Sequence, residues 1–184
     1  MWGYRCVIWM ALIGLIGTSL AGRAPQGSRK SQASPETVRQ LIAKLGPRGA
    51  FERLVNNPDQ SAFYDLLGGV ASAKREWLDL VTQLAPVSQG YGEEMLAAAL
   101  SEALERDPIA ILERRGSGIR LDRVCGYDPF QAVNSVRTRK QFLQALQPRE
   151  RAVAAVNRSD LARAKNECIA AIARLKADST LEYR

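Results

Sequence analysis

Apolar residues recur along this chain at the spacing of an α-helix. Val38, Leu41, Ile42 and Leu45 fall at i, i+3, i+4 and i+7, one stripe of a helical surface. The same interval returns in Phe63, Leu66, Leu67 and Val70, and again in Trp77, Leu80, Val81 and Leu84. Met95, Leu96, Ala99, Leu100, Ala103 and Leu104 repeat it. Near the end, Leu161, Ala164, Cys168, Ile172 and Leu175 line one face, which puts Cys168 on the buried side of its helix. No stretch alternates strictly at period two with β-branched residues, so the pattern predicts an all-α fold with little or no sheet.

Polar residues punctuate these stripes. Ser34-Pro35, Asn57-Pro58, Asp107-Pro108 and Asp128-Pro129 each place a capping side chain before a proline. The cap oxygen accepts from an orphan amide, and proline in the first turn gives up no bond it could have made. Gln60 and Gln131 stand where a capping box takes Glu or Gln. With Gln147-Pro148 and further starts near Ser72 and Gln89, helices are predicted to begin about every 16 to 23 residues. Two such helices make a unit of about 40 residues, the length of a HEAT-like helical hairpin. Over Pro35 to Lys176 the chain therefore resembles a short HEAT-like α-solenoid of stacked antiparallel hairpins. A compact helical bundle buries the same stripes and fits the same spacing. The chain also resembles small exported bacterial proteins that carry no assigned activity. The shared features are acidic-or-amide–proline helix starts such as Asp107-Pro108, a Trp near a helix start (Trp77) and two late cysteines, Cys125 and Cys168.

Ahead of the first stripe the pattern changes. Met1 to Arg5 is a short positive start, Cys6 to Ile16 an unbroken apolar run, and Gly17 to Ala21 a small-residue exit. That order is a secretory signal peptide over residues 1–21, with cleavage before Gly22. The alternative is an uncleaved anchor, but Cys6 to Ala21 supplies 16 largely apolar residues where a spanning helix needs about 20. The expectation is a periplasmic or secreted protein with no membrane span once the signal is removed. Residues 22–34, basic and rich in Gly, Ser and Pro, are expected to form a disordered spacer, residues 35–178 the helical domain and residues 179–184 a C-terminal tail.

Export changes the meaning of the cysteines. Without the signal, 163 residues and two cysteines remain, and an even pair in an exported chain predicts a disulfide between Cys125 and Cys168. It would close a loop of 44 residues, which the chain-entropy relation values at about 4 kcal/mol. Two thiolates alone supply half a zinc shell, and the chain has no histidine to complete one.

Charge narrows the partners. The formal charge is +7, but the part from Pro35 onward holds 22 basic and 19 acidic residues. Within it, Pro35 to Leu112 carries a net −4 and Glu113 to Arg151 a net +5. The first reading is segregated solvated faces; the second is a basic surface for an anionic partner, which outside the cytoplasm is a protein, a polysaccharide or a membrane surface rather than DNA.

Candidate chemistry is sparse. The absence of histidine excludes Ser-His-Asp and Cys-His catalysis, and no Ser-x-x-Lys or glycine-rich phosphate loop is present. Glu93, Glu94, Glu102 and Glu105 lie on the polar side of the Gly90–Glu105 stripe and read as a solvated face. Their alternative use is as the carboxylates of a cell-wall hydrolase, which need an apolar cleft and a facing partner. Trp77 reads as core, Tyr91 as a turn residue between two glycines, and Asn157-Arg158-Ser159 as a chance glycosylation sequon.

The irregular segment Glu113 to Asp128 is long for a connection in a compact domain. It holds Arg114, Arg115, Arg120 and Arg123 and ends at Cys125-Gly126-Tyr127. Arg114, Arg115, Arg120, Arg123 and Tyr127 are therefore the candidate partner-binding residues, since the planar guanidinium fork engages carboxylates. The competing reading has these arginines cover acidic neighbours of the same chain. The expected function is an exported, non-catalytic helical protein that binds another envelope or secreted protein, of the immunity or inhibitor kind. No catalytic residue, cofactor or metal is expected. A further alternative is a structural envelope protein held to an anionic surface by its basic spacer.

Overall fold

The structure is a computed structural model that describes residues 33–129 and 138–178. The signal peptide (1–21), the spacer as far as residue 32, the Gln131 cap and the tail (179–184) lie outside the described residues. Within them the chain is all-α: α1 (Pro35–Val55), α2 (Ser61–Ala71), α3 (Arg75–Leu84), α4 (Gly90–Arg106), α5 (Pro108–Leu112), α6 (Leu121–Cys125), α7 (Arg139–Ala154) and α8 (Ala162–Ala177). Short 3-10 turns follow α3 at Ala85–Val87 and precede α8 at Ser159–Leu161. Among the described residues no helix is long and apolar enough to cross a membrane.

The start of α1 follows from its cap. The Ser34 hydroxyl accepts from the Thr37 amide at 3.1 Å, and Pro35 occupies the first helical position. Ala33, one residue earlier, is already buried and donates its amide to Asp65 Oδ2 at 3.1 Å. Gly46 then breaks α1 with φ 71° and ψ 168°, and Pro47 restarts it. The turn swings Leu45 out to 45% exposure, so the stripe begun by Val38 ends at Ile42.

Two expected helix starts fall elsewhere. Asn57 forms a turn: its Oδ1 accepts from the Asp59 amide at 3.2 Å and its carbonyl from the Gln60 amide at 2.9 Å. The side-chain oxygen that would cap a helix is used within this turn, and α2 waits until Ser61. Gln147-Pro148 lies inside α7, which starts at a capping box made by Thr138 and Gln141. Phe142, Leu146, Arg149 and Val153 are all buried along α7, and their packing carries the helix across the proline. Asp107 does cap α5, accepting from the Ala110 amide at 3.0 Å.

Helices next but one in sequence pack together: α1 on α3, α2 on α4, α4 on α6 and α6 on α8. In addition, α4 meets α5 and α7, so it lies between the two halves of the chain. Its inward positions are narrow, with Ala99 and Ala103 buried and Gly92 so close to Phe51 that a Cβ would sit 2.5 Å from its ring. The stripes read from the sequence supply the core: Leu66, Leu80, Leu84, Leu104 and Ile172 are each at most 1% exposed. Each such side chain contributes about 1.5–3 kcal/mol of burial. Phe51 and Phe63 meet edge to face at 6.1 Å. Cys125 and Cys168 are joined, with Cα atoms 5.2 Å apart, and the bridge ties α6 to α8.

Trp77 is 7% exposed and lies against the backbone of α2. A Cβ on Gly69 would come within 2.3 Å of the indole, whereas one on Gly68 would meet nothing within 4 Å. Alanine in a helix is favoured over glycine by about 0.8–1 kcal/mol. Gly68→Ala is therefore expected to stabilise the protein by up to about 1 kcal/mol. At Gly69 the overlap with a closed core outweighs that gain, and Gly69→Ala is expected to destabilise by about 1–3 kcal/mol. Thermal denaturation of the two variants checks the opposite signs.

Candidate functional site

Five residues are too few for a free-standing helix, so α6 is held by its surroundings. Leu121 and Val124 are buried, and Cys125 is bonded to α8. A third restraint comes from α7. The Arg149 side chain is 3% exposed, and its Nη1 donates to the carbonyls of Cys125 at 3.2 Å and Tyr127 at 2.6 Å. Its Nε lies 3.6 Å from Glu105 Oε1 on α4, an ion-pair distance too long for a hydrogen bond, and Nε has no hydrogen-bond partner. Burial opposes the charge on Arg149 and pushes the Glu105 carboxyl above its ordinary range, while their mutual attraction opposes both shifts. One guanidinium thus joins α4, α7 and the end of α6.

The segment before α6 reaches back to the turn after α3. Gly118 has φ 89°, and a Cβ there would sit 2.2 Å from the Pro86 ring. This close approach shapes a cleft of about 170 Å³ between α4, α6 and the Ala85–Val87 turn. Leu96, Ala97 and Leu100 of α4 line one side, with Ile119 and Val124 facing them. Glu93, Arg120 and Arg123 stand among the lining residues as its charged members.

The four loop arginines do not act together. Arg114 is largely buried, pairs with Asp79 and donates to the Ala110 carbonyl at 2.8 Å. Arg115 engages Glu167 with both arms of its fork, each at 2.7 Å, which holds the Glu167 carboxyl below its ordinary range. These two tie the loop to α3 and α8. Arg120 pairs with Asp122, two residues away, at 2.8 Å and lowers its carboxyl pKa. Arg123 reaches Glu93 only at 3.8 Å. Both are more than half exposed and both border the cleft. Tyr127 is half-buried, its hydroxyl pKa raised chiefly by burial, and its carbonyl serves as an acceptor for Arg149.

The acidic residues of α4 divide similarly. Glu93 borders the cleft, Glu102 lies 3.8 Å from Arg106, and Glu105 faces Arg149. Among the described residues no group of three or more His, Cys, Asp or Glu side chains comes together as a metal site. Tyr91 is about half exposed and its hydroxyl lies 3.3 Å from that of Tyr64. Arg158, inside the sequon, is engaged by Glu113 and Asp160.

Arg149 is the residue that sequence reasoning missed. Its signal was present: Phe142, Leu146, Arg149 and Val153 run at i, i+4, i+7 and i+11, which puts a charged residue on an apolar face. No protein-family model, curated protein or solved structure matches the chain.

Proposed function

We propose that this chain is an exported, non-catalytic helical protein that binds an acidic segment of another envelope or secreted protein at the cleft between α4 and α6. One observation carries the reading: two exposed guanidiniums, Arg120 and Arg123, border a cleft with an apolar floor, where Glu93 is the other charged lining residue. Their present ion pairs are exposed, and such pairs are worth about 0–1 kcal/mol, so exchanging them for a partner's carboxylates costs little. Arg114 and Arg115 are already committed within the chain and serve to hold the loop in place. A buried disulfide fits an oxidising compartment, which agrees with a periplasmic or secreted location. An immunity or inhibitor role suits a small binding module of this kind, by analogy with other such proteins.

The test is affinity capture from the native envelope fraction with the oxidised mature chain, using Arg120→Glu/Arg123→Glu as control. Arg114 and Arg115 are left intact because their loss would disturb the fold. A protein retained by the wild type and lost by a control of unchanged melting temperature supports the reading. Equal retention by both removes the cleft from it, and retention of nothing by the wild type removes protein binding.

A further inference from the structure

We infer that the cleft receives one apolar side chain of its partner, a Leu or Phe with a carboxylate-bearing residue beside it in an extended peptide segment. This rests on the binding role proposed above and specifies its ligand. Size carries the first half. The cleft measures about 170 Å³, close to the 150 Å³ apolar cavity that accepts a benzene ring. It is well below the roughly 300–1,000 Å³ of drug-sized ligand sites. One side chain fills it.

Polarity carries the second half. Leu96, Ala97, Leu100, Ile119 and Val124 are each at most 9% exposed, so the floor is apolar. The Ser88 hydroxyl at its edge is taken by the Ala85 carbonyl at 2.8 Å. A polar group entering the floor would lose its hydration with little to replace it, whereas an apolar one gains. Outside the floor, Arg120 and Arg123 sit in exposed ion pairs with Asp122 and Glu93, the second only at 3.8 Å, and a neighbouring carboxylate can exchange into such pairs at little cost. A buried anchor enclosed by a polar rim is the arrangement that concentrates binding energy in one residue.

The probe is an N-acetylated, C-amidated peptide with one Phe flanked by Glu, compared with its Phe→Ala and Glu→Gln forms by calorimetric titration on the oxidised chain. The Phe peptide is expected to bind at least tenfold more tightly than either form. Ala97→Met, which fills the floor, is expected to abolish the preference for Phe. Ala97→Val is the milder variant should the first disturb folding, and Ala97 lies outside the contiguous core. Equal affinity for the Phe and Ala peptides, with both lost in Arg120→Glu/Arg123→Glu, would overturn the anchor while leaving acidic recognition in place. Equal affinity for the Glu and Gln forms would overturn the carboxylate. Failure of every peptide to bind would overturn the anchor, and captured protein lost in the arginine variant would show whether the broader binding role survives it.

Discussion

Replacing both bridge cysteines, Cys125→Ala/Cys168→Ala, is expected to lower stability by about 4 kcal/mol relative to the oxidised chain. The bridge joins residues 43 apart in sequence, and opening a loop of that length restores roughly 13 cal/mol/K of entropy to the unfolded chain. A domain of this size shifts by roughly 2–4 °C per kcal/mol, so the melting temperature should fall by about 8–16 °C. One feature separates this from simple loss of packing. The denaturant slope m should rise, because an unbridged chain exposes more surface when it unfolds. Removal of one cysteine alone should also leave a buried thiol, so the paired variant is the cleaner comparison. A loss below about 1 kcal/mol with unchanged m would mean that the unfolded chain is already compact around these residues.

Arg149→Met is expected to destabilise by about 3 kcal/mol, within the range for breaking one side of a buried ion pair. Methionine keeps the stem's apolar packing but removes the donor to the Cys125 and Tyr127 carbonyls and the charge facing Glu105. Glu105→Gln should cost less, because Arg149 keeps both carbonyls and Glu105 is itself 31% exposed. The informative comparison is the double variant Arg149→Met/Glu105→Gln. Removing both charges should recover part of the loss, and the part not recovered measures what the two carbonyls contribute. Denaturant unfolding of the four proteins checks the cycle. Full additivity would show that the 3.6 Å contact carries no coupling.

The helical stripes were legible because burial imposes its period on the sequence directly. Phe63 to Val70 and Trp77 to Leu84 could be read without knowing what they pack against, and both are buried. Caps were less secure, because one side-chain geometry serves two purposes. Asn57 makes with Asp59 the same kind of bond that Ser34 makes with Thr37, yet only the second starts a helix. At Pro148 the local signal for a start lost to packing along the whole of α7. The arginine loop was found by its composition, but composition could not say which arginines were spoken for. Arg114 meets Asp79 from 35 residues away and Arg115 meets Glu167 from 52, distances along the chain that no local pattern encodes. Arg120 and Arg123 differ in having nearer or looser partners, and that difference leaves them exposed at the cleft's border.

The slenderness of α4 has its own consequence. Where Gly92 meets Phe51 and Val55, the approach of α1 to α4 is set by a single hydrogen, and further along α4 the buried Ala99 and Ala103 offer only methyl groups. Helix axes move apart as the side chains between them grow. A larger residue at Gly92 would act as a wedge against Phe51 and Val55, displacing α1 from α4. The distance between these two helices is thus written in the smallest residue between them.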